Sequence, residues 1–121
     1  MALGEFHATQ TTTASYADVL RTDGVAYMDT AGCMGSGSYI LKTGNATGGC
    51  DFLVFATNDN PAITPDASCT WAQVVSGTAP ASANTVIFAD DIVHHAAYKV
   101  QVRYHSGGGA QAVTLIGLAK A

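Results

Sequence analysis

Short segments in which apolar and polar side chains alternate with period two dominate this chain, separated by clusters of Gly, Asn, Asp, Pro and Ser. The clearest runs from Ala97 to His105. It places Tyr98, Val100, Val102 and Tyr104 on one face and Lys99, Gln101, Arg103 and His105 on the other, the signature of a half-buried antiparallel strand. Ser106-Gly107-Gly108-Gly109 follows, a turn with several positions free to take positive φ. From Ala110 to Ala119 the alternation resumes, with Val113 and Leu115 opposite Thr114, Ile116 and Leu118. The two segments read as a C-terminal hairpin. Apolar residues on both faces of its second strand place that strand between layers or against a neighbouring chain.

Shorter candidates precede it. Tyr16–Arg21 and Val25–Asp29 flank Asp23-Gly24, a hairpin-turn dipeptide, and Ser38–Thr43 leads into a turn at Gly44-Asn45. Asp51–Thr57 sets Phe52 and Val54 against Leu53 and Phe55, Thr70–Val75 opens on Trp71, and Thr85–Ala89 supplies Val86, Ile87 and Phe88. About eight strands at roughly ten-residue spacing predict an all-β fold, a single antiparallel β-sandwich or jelly-roll-like domain. Helix is expected to be scarce. Asp90–Ala97 reads as a loop with some helical character, and Asn58–Ser68 as the longest irregular stretch, shaped by Pro61 and Pro65. Residues 1–15 stand apart, with few large apolar side chains and the run Thr11-Thr12-Thr13. They predict an extended N-terminal arm ahead of a domain at 16–121, ordered only by packing on something outside that domain.

Composition narrows the function. A chain of 121 residues makes one domain. Its charged fraction is 12%, about half the usual share, so much of its surface is expected to be covered by partners. The net charge is −4, and Arg21, Lys42, Lys99, Arg103 and Lys120 are dispersed, which speaks against nucleic acid as a partner. No apolar run approaches the roughly 20 residues that span a bilayer, so no membrane role is expected. Met1–His7 has no basic stretch followed by an apolar one and does not read as a signal peptide. Cys33, Cys50 and Cys69 are widely spaced without a CxxC and read as buried reduced thiols. The sequon Asn45-Ala46-Thr47 carries little weight by itself.

Candidate chemistry is thin. Asp90-Asp91-Ile92-Val93-His94-His95 is the densest group of metal-capable side chains, yet on a strand its two histidines diverge and no further ligand follows at a known spacing. Asn58-Asp59-Asn60 has the composition of half a calcium loop but reads better as Asx turns leading into Pro61. Gly35-Ser36-Gly37 is no nucleophile elbow, and the Gly107–Gly109 run lacks the lysine and following helix of a phosphate cradle. No catalytic, metal or cofactor site is expected. Trp71 with Tyr16, Tyr27 or Tyr39 could form a sugar-stacking platform, but the expectation for Trp71 is the core between sheets.

The Thr-rich segment at 8–15, and the closing segment in which Tyr98-Lys99-Val100-Gln101-Val102-Arg103-Tyr104 leads through glycines to Gly117-Leu118-Ala119-Lys120, resemble small structural proteins of tailed-phage virions. The likeness is to β-sandwich capsid decoration (cement) proteins and covers about a third of the chain. It implies a non-enzymatic homo-oligomer, a trimer by preference, that assembles in the host cytoplasm and binds the major capsid protein on the outside of the head. On that reading the partner-binding residues are Phe6, Thr11, Thr12, Thr13 and Tyr16 of the arm, with Val113, Ile116 and Leu118 on the last strand. The alternatives are a carbohydrate- or receptor-binding sandwich, or another virion subunit of the tail or head–tail connector.

Overall fold

Apolar side chains recur at every second position along most of the nine strands, and the molecule buries them by laying two antiparallel sheets face to face. The computed structural model describes residues 4–44, 48–106 and 108–120. The sequon, the Asn45 half of the expected turn and Gly107 lie outside them. The strands are β1 (Gly4–Thr11), β2 (Ala17–Asp18), β3 (Tyr27–Asp29), β4 (Gly37–Thr43), β5 (Cys50–Thr57), β6 (Ala72–Ala79), β7 (Asn84–Asp90), β8 (Ala97–Tyr104) and β9 (Ala112–Ala119). One sheet has the order β1-β9-β4-β7. The other has the order β2-β8-β5-β6, with β3 also on β8. The fold is an all-β sandwich, and a short 3-10 turn at Asp66–Ser68 interrupts the longest loop.

Between the sheets lie Tyr39, Tyr98, Met28, Leu41, Leu115, Val54, Val100, Val102 and Val113, all fully buried. One inner row is decisive. Phe6 and Tyr39 both sit opposite Gly117, and Phe88 sits opposite Tyr39, so a row across the four-stranded sheet reads Phe6, Gly117, Tyr39, Phe88. The rings of Phe6 and Tyr39 meet edge-on at 6.3 Å, Tyr39 and Phe88 at 6.4 Å, and Phe88 reaches Tyr98 of the opposing sheet at 4.9 Å. The Tyr39 hydroxyl crosses the core and donates to the Tyr98 carbonyl at 2.8 Å. Burial holds that phenol far above its ordinary pKa, so it remains a donor at all working pH. A Cβ at position 117 would lie 2.6 Å from the Tyr39 ring and 3.0 Å from the Met28 sulfur, which is why a glycine stands there.

Three expectations are corrected. Residues 4–11 are no arm: every one pairs with β9, from Gly4 opposite Ala119 to Thr11 opposite Ala112, and Phe6 and Ala8 enter the core. The segment looked poor in apolar residues because an edge strand facing one layer needs few of them. The last two strands do not form a hairpin. β8 lies between β5 and the β2/β3 edge, whereas β9 lies between β1 and β4. Both strands have a continuous apolar inner face, and the two faces oppose each other only if the chain changes sheets between them. Third, Tyr16–Arg21 and Val25–Asp29 do not pair with each other. The turn is real, with Gly24 at φ +84° and Arg21 N–H bonded to Val25 C=O, but β2 and β3 follow one another along the same edge of β8.

Two consequences are measurable. Deleting residues 1–11 removes β1 and uncovers the Gly117 row, so the truncated chain is expected to lose its cooperative thermal transition and disperse poorly in amide NMR spectra. Gly117→Ala is expected to lower stability by about 1–3 kcal/mol in denaturant titration, because the anchored Tyr39 ring cannot move aside.

Candidate interaction face

The two outer surfaces of the sandwich differ in kind. On the β2-β8-β5-β6 sheet the outward side chains include an ionic network whose members engage one another, set among Leu53, Phe55 and Val74. Asp51, itself buried, accepts from Thr78 Oγ1 at 2.7 Å and from Arg103 Nε at 3.0 Å, and its other contact is His105 Nδ1 at 2.8 Å. Arg103 lies over the Tyr16 ring at 4.2 Å. Asp18 accepts from Gln101 at 2.9 Å and pairs with Lys99 at 3.6 Å. Lys99 in turn sits 4.7 Å above the Trp71 ring and 5.9 Å from that of Phe55.

Trp71 is therefore outside the core, contrary to expectation. It precedes an edge strand, its indole N–H donates to Asp66 at 3.1 Å, and the inter-sheet space it was expected to fill is taken by Tyr39, Tyr98 and Met28. With the chain's own Lys99 on one face of its ring, it offers a sugar only a partly occupied platform.

The outer face of the β1-β9-β4-β7 sheet is nearly free of charge. Register aligns Glu5, Leu118, Ser38 and Ala89 in one row and His7, Ile116, Ile40 and Val86 in the next. Thr9, Thr114, Lys42 and Asn84 form a third. Val86 is 60% exposed and Leu118 41%, and Ile40 and Ile116 between them are half-buried. Two open grooves flank Leu118. One, of about 550 Å³, runs along Glu5, His7, Arg21 and Ile116, and the other, of about 500 Å³, along Ser36, Ser38, Ala89, Asp90 and Lys120.

The residues expected to bind a partner divide three ways. Thr11, Ile116 and Leu118 share this outer face. Thr13 is exposed beyond the end of β1, and Tyr16 belongs to the opposite sheet, under Arg103. Phe6, Thr12 and Val113 are buried within the domain and not on its surface, Thr12 exchanging hydrogen bonds with the Gln111 backbone. Ile40 and Val86 were not foreseen. Their outward alternation is visible in the sequence, but nothing there places β4 beside β9 or β7 beside β4.

Two of the sheet edges are less inviting than the face. β6 and β7 are both edge strands and lie in a stretch without a charged residue between Asp66 and Asp90. Each carries a bulge, at Val54/Phe55 against β6 and at Tyr39/Ile40 against β7, a device that discourages strand addition.

Elsewhere the candidate chemistry is structural. Among the described residues no group of three or more His, Cys, Asp or Glu converges as a metal site. His95 bonds Asn58 at 2.8 Å while His94 is exposed, and Asp59 and Asn60 hold the backbone N–H groups of Thr70 and Ala62. The three cysteines are unpaired. Burial, with the charge of Asp51, pushes the Cys50 thiol up to about 11, which leaves it inert.

No protein family model matches the chain, and no curated protein is significantly similar to it. Among solved structures it is similar to that of Bacillus endospore appendages, which form a novel family of disulfide-linked pili. The TM-score is 0.53 at 10% identity, over 98% of this chain and 87% of that one. At that identity the likeness is one of fold: both chains carry the same β-rich architecture.

The Asp51 cluster makes a pH prediction. Burial alone would raise its carboxyl pKa, but the hydrogen bonds from Thr78, His105 and Arg103 outweigh that and hold it below the ordinary 3.8. A depressed carboxylate contributes stability above its unfolded pKa and loses it as pH falls through the folded value. Thermal stability is therefore expected to drop below about pH 4. Asp51→Asn is expected to cost about 1–2 kcal/mol at neutral pH, the lower end of the range for charged hydrogen bonds because Arg103 and His105 are near half exposed. Its melting profile below pH 4 should be flatter than that of the wild type.

Proposed function

We propose that the chain is a non-enzymatic structural subunit that works by repetitive packing, its β1-β9-β4-β7 outer face being the joint. The observation that carries this is the apolar row Ile116, Ile40 and Val86 with Leu118 beside it, left uncovered on a chain with few charges to keep it apart from others. Surface of that kind on a β-sandwich is binding surface, and shallow contacts of this size become firm when many equal copies act together.

The finer reading is a decoration protein on the outside of a tailed-phage head, binding the major capsid protein and located in the virion. It draws on the resemblance of the closing segment to such proteins. The similarity in fold to a subunit of spore appendages supports the broader idea of a sandwich used as a building block. A disulfide joint of the kind those pili have finds little material here, since Cys33 and Cys50 are buried and only Cys69 is partly accessible.

The test is mass photometry and negative-stain electron microscopy of the purified chain at rising concentration, alone and mixed with phage head shells stripped of outer proteins. Ordered, stoichiometric assemblies are expected in at least one arm. Val86→Asp, on the edge strand and 60% exposed, should abolish them while shifting the melting temperature by less than about 4 °C, since surface substitutions lie within about 0.5 kcal/mol. A wild-type chain that stays monomeric and binds no shell in either arm overturns the reading.

A further inference from the structure

The same face carries a symmetry that its apolar residues alone do not reveal. Glu5 stands opposite Leu118 on β1, and Lys42 stands opposite Thr114 on β4. β9 lies between those two strands, and Ile116 is midway between Leu118 and Thr114 along it. With strands about 4.8 Å apart and about 6.8 Å per two residues, Ile116 falls at the midpoint of the line from Glu5 to Lys42. Both charges are exposed, and among the described residues neither has an ion-pair partner. An acid and a base placed equally far on either side of an apolar centre are self-complementary under one operation: a two-fold axis in the plane of the face, perpendicular to that line and through Ile116.

The geometry points to a second copy of this chain as the occupant of the face, in an isologous dimer with Ile116 packed on its counterpart at the axis. The axis brings Glu5 of each copy over Lys42 of the other, and sets Leu118 of each copy against Ile40 of the other. Strands of the two copies then cross at about 110°, near the orthogonal class of sheet packing. Four strands give an overlap of about 19 Å by 19 Å, about 700 Å² counted over both copies, which is below the size of stable specific interfaces. The pair is a weak, transient one with a Kd expected at about 100 μM or above. Such a pair is a two-fold unit and not the trimer implied by the phage resemblance. Both arrangements of the face rest on the functional reading above, but the dimer makes its own demands.

Sedimentation equilibrium of the full chain, wild type against Glu5→Lys, Lys42→Glu and the two combined, tests it. Each single reversal sets like charges together at two symmetry-related places and is expected to weaken dimerisation about ten-fold or more. The combined reversal restores opposite charges and should recover the wild-type Kd to within about three-fold. That recovery is a readout that a general loss of folding cannot imitate, and far-ultraviolet circular dichroism checks that all four chains are folded. A wild-type chain that is monomeric to about 1 mM, a trimeric mass, or a combined variant no better than the singles overturns the dimer. If the wild type is monomeric yet still coats head shells through this face, the dimer is wrong while the structural-subunit reading stands. If it neither dimerises nor coats shells, both fall.

Discussion

The sandwich depends on a tyrosine that occupies the volume left by an absent side chain. Tyr39 lies across Gly117, where any Cβ would collide with its ring, and from there its hydroxyl reaches the Tyr98 carbonyl of the opposing sheet. One residue thus sets the register of β4 on β9, fixes the spacing of the sheets and satisfies its own polar atom in the interior. Phe6 closes over the same glycine from the other side, which ties the first strand of the sandwich to the last. The outer face inherits this order, because the row that buries Phe6, Tyr39 and Phe88 is followed by one that turns His7, Ile116, Ile40 and Val86 outward.

Charge is distributed with the same asymmetry. On one sheet Lys99 and Arg103 stack on aromatic rings and pair with Asp18 and Asp51, so the charges of that surface are largely satisfied within it. The other sheet sets Glu5, His7 and Lys42 around an apolar centre, with Arg21, Asp90 and Lys120 at its margins. A more ionic face and a more apolar face on opposite sides of the sandwich give the molecule a direction, which the role proposed above would use.

Local pattern made much of this legible. The alternation of Tyr98, Val100 and Val102 marks β8 from the order of residues alone, and the outward placement of Ile116 and Leu118 follows from the same rule. Pairing was not legible, because period two says which residues share a face and nothing about which strand lies beside it. Two continuous apolar strands joined by glycines look like a hairpin, yet here they are the two halves of the core. Gly4–Thr11 looked to have little to bury because its one large apolar side chain is Phe6, and Phe6 matters only once Gly117 is known to lie opposite. Trp71 was misplaced for the converse reason: size suggested the interior, while its position just ahead of an edge strand put it over Lys99.

The pairing of β1 with β9 also decides when the molecule can exist. β9 is a central strand of its sheet and the last strand of the sandwich to leave the ribosome, while β1 and β4 wait for it from the moment they emerge. Until it arrives, Phe6 and Tyr39 have no glycine to cover and one layer has no centre. Folding of the sandwich must therefore wait until β9 has emerged, with long-range contacts made late and slowly. The apolar face is assembled in that same step, so a chain that lacks β9 has neither a closed core nor the row of Ile116, Ile40 and Val86.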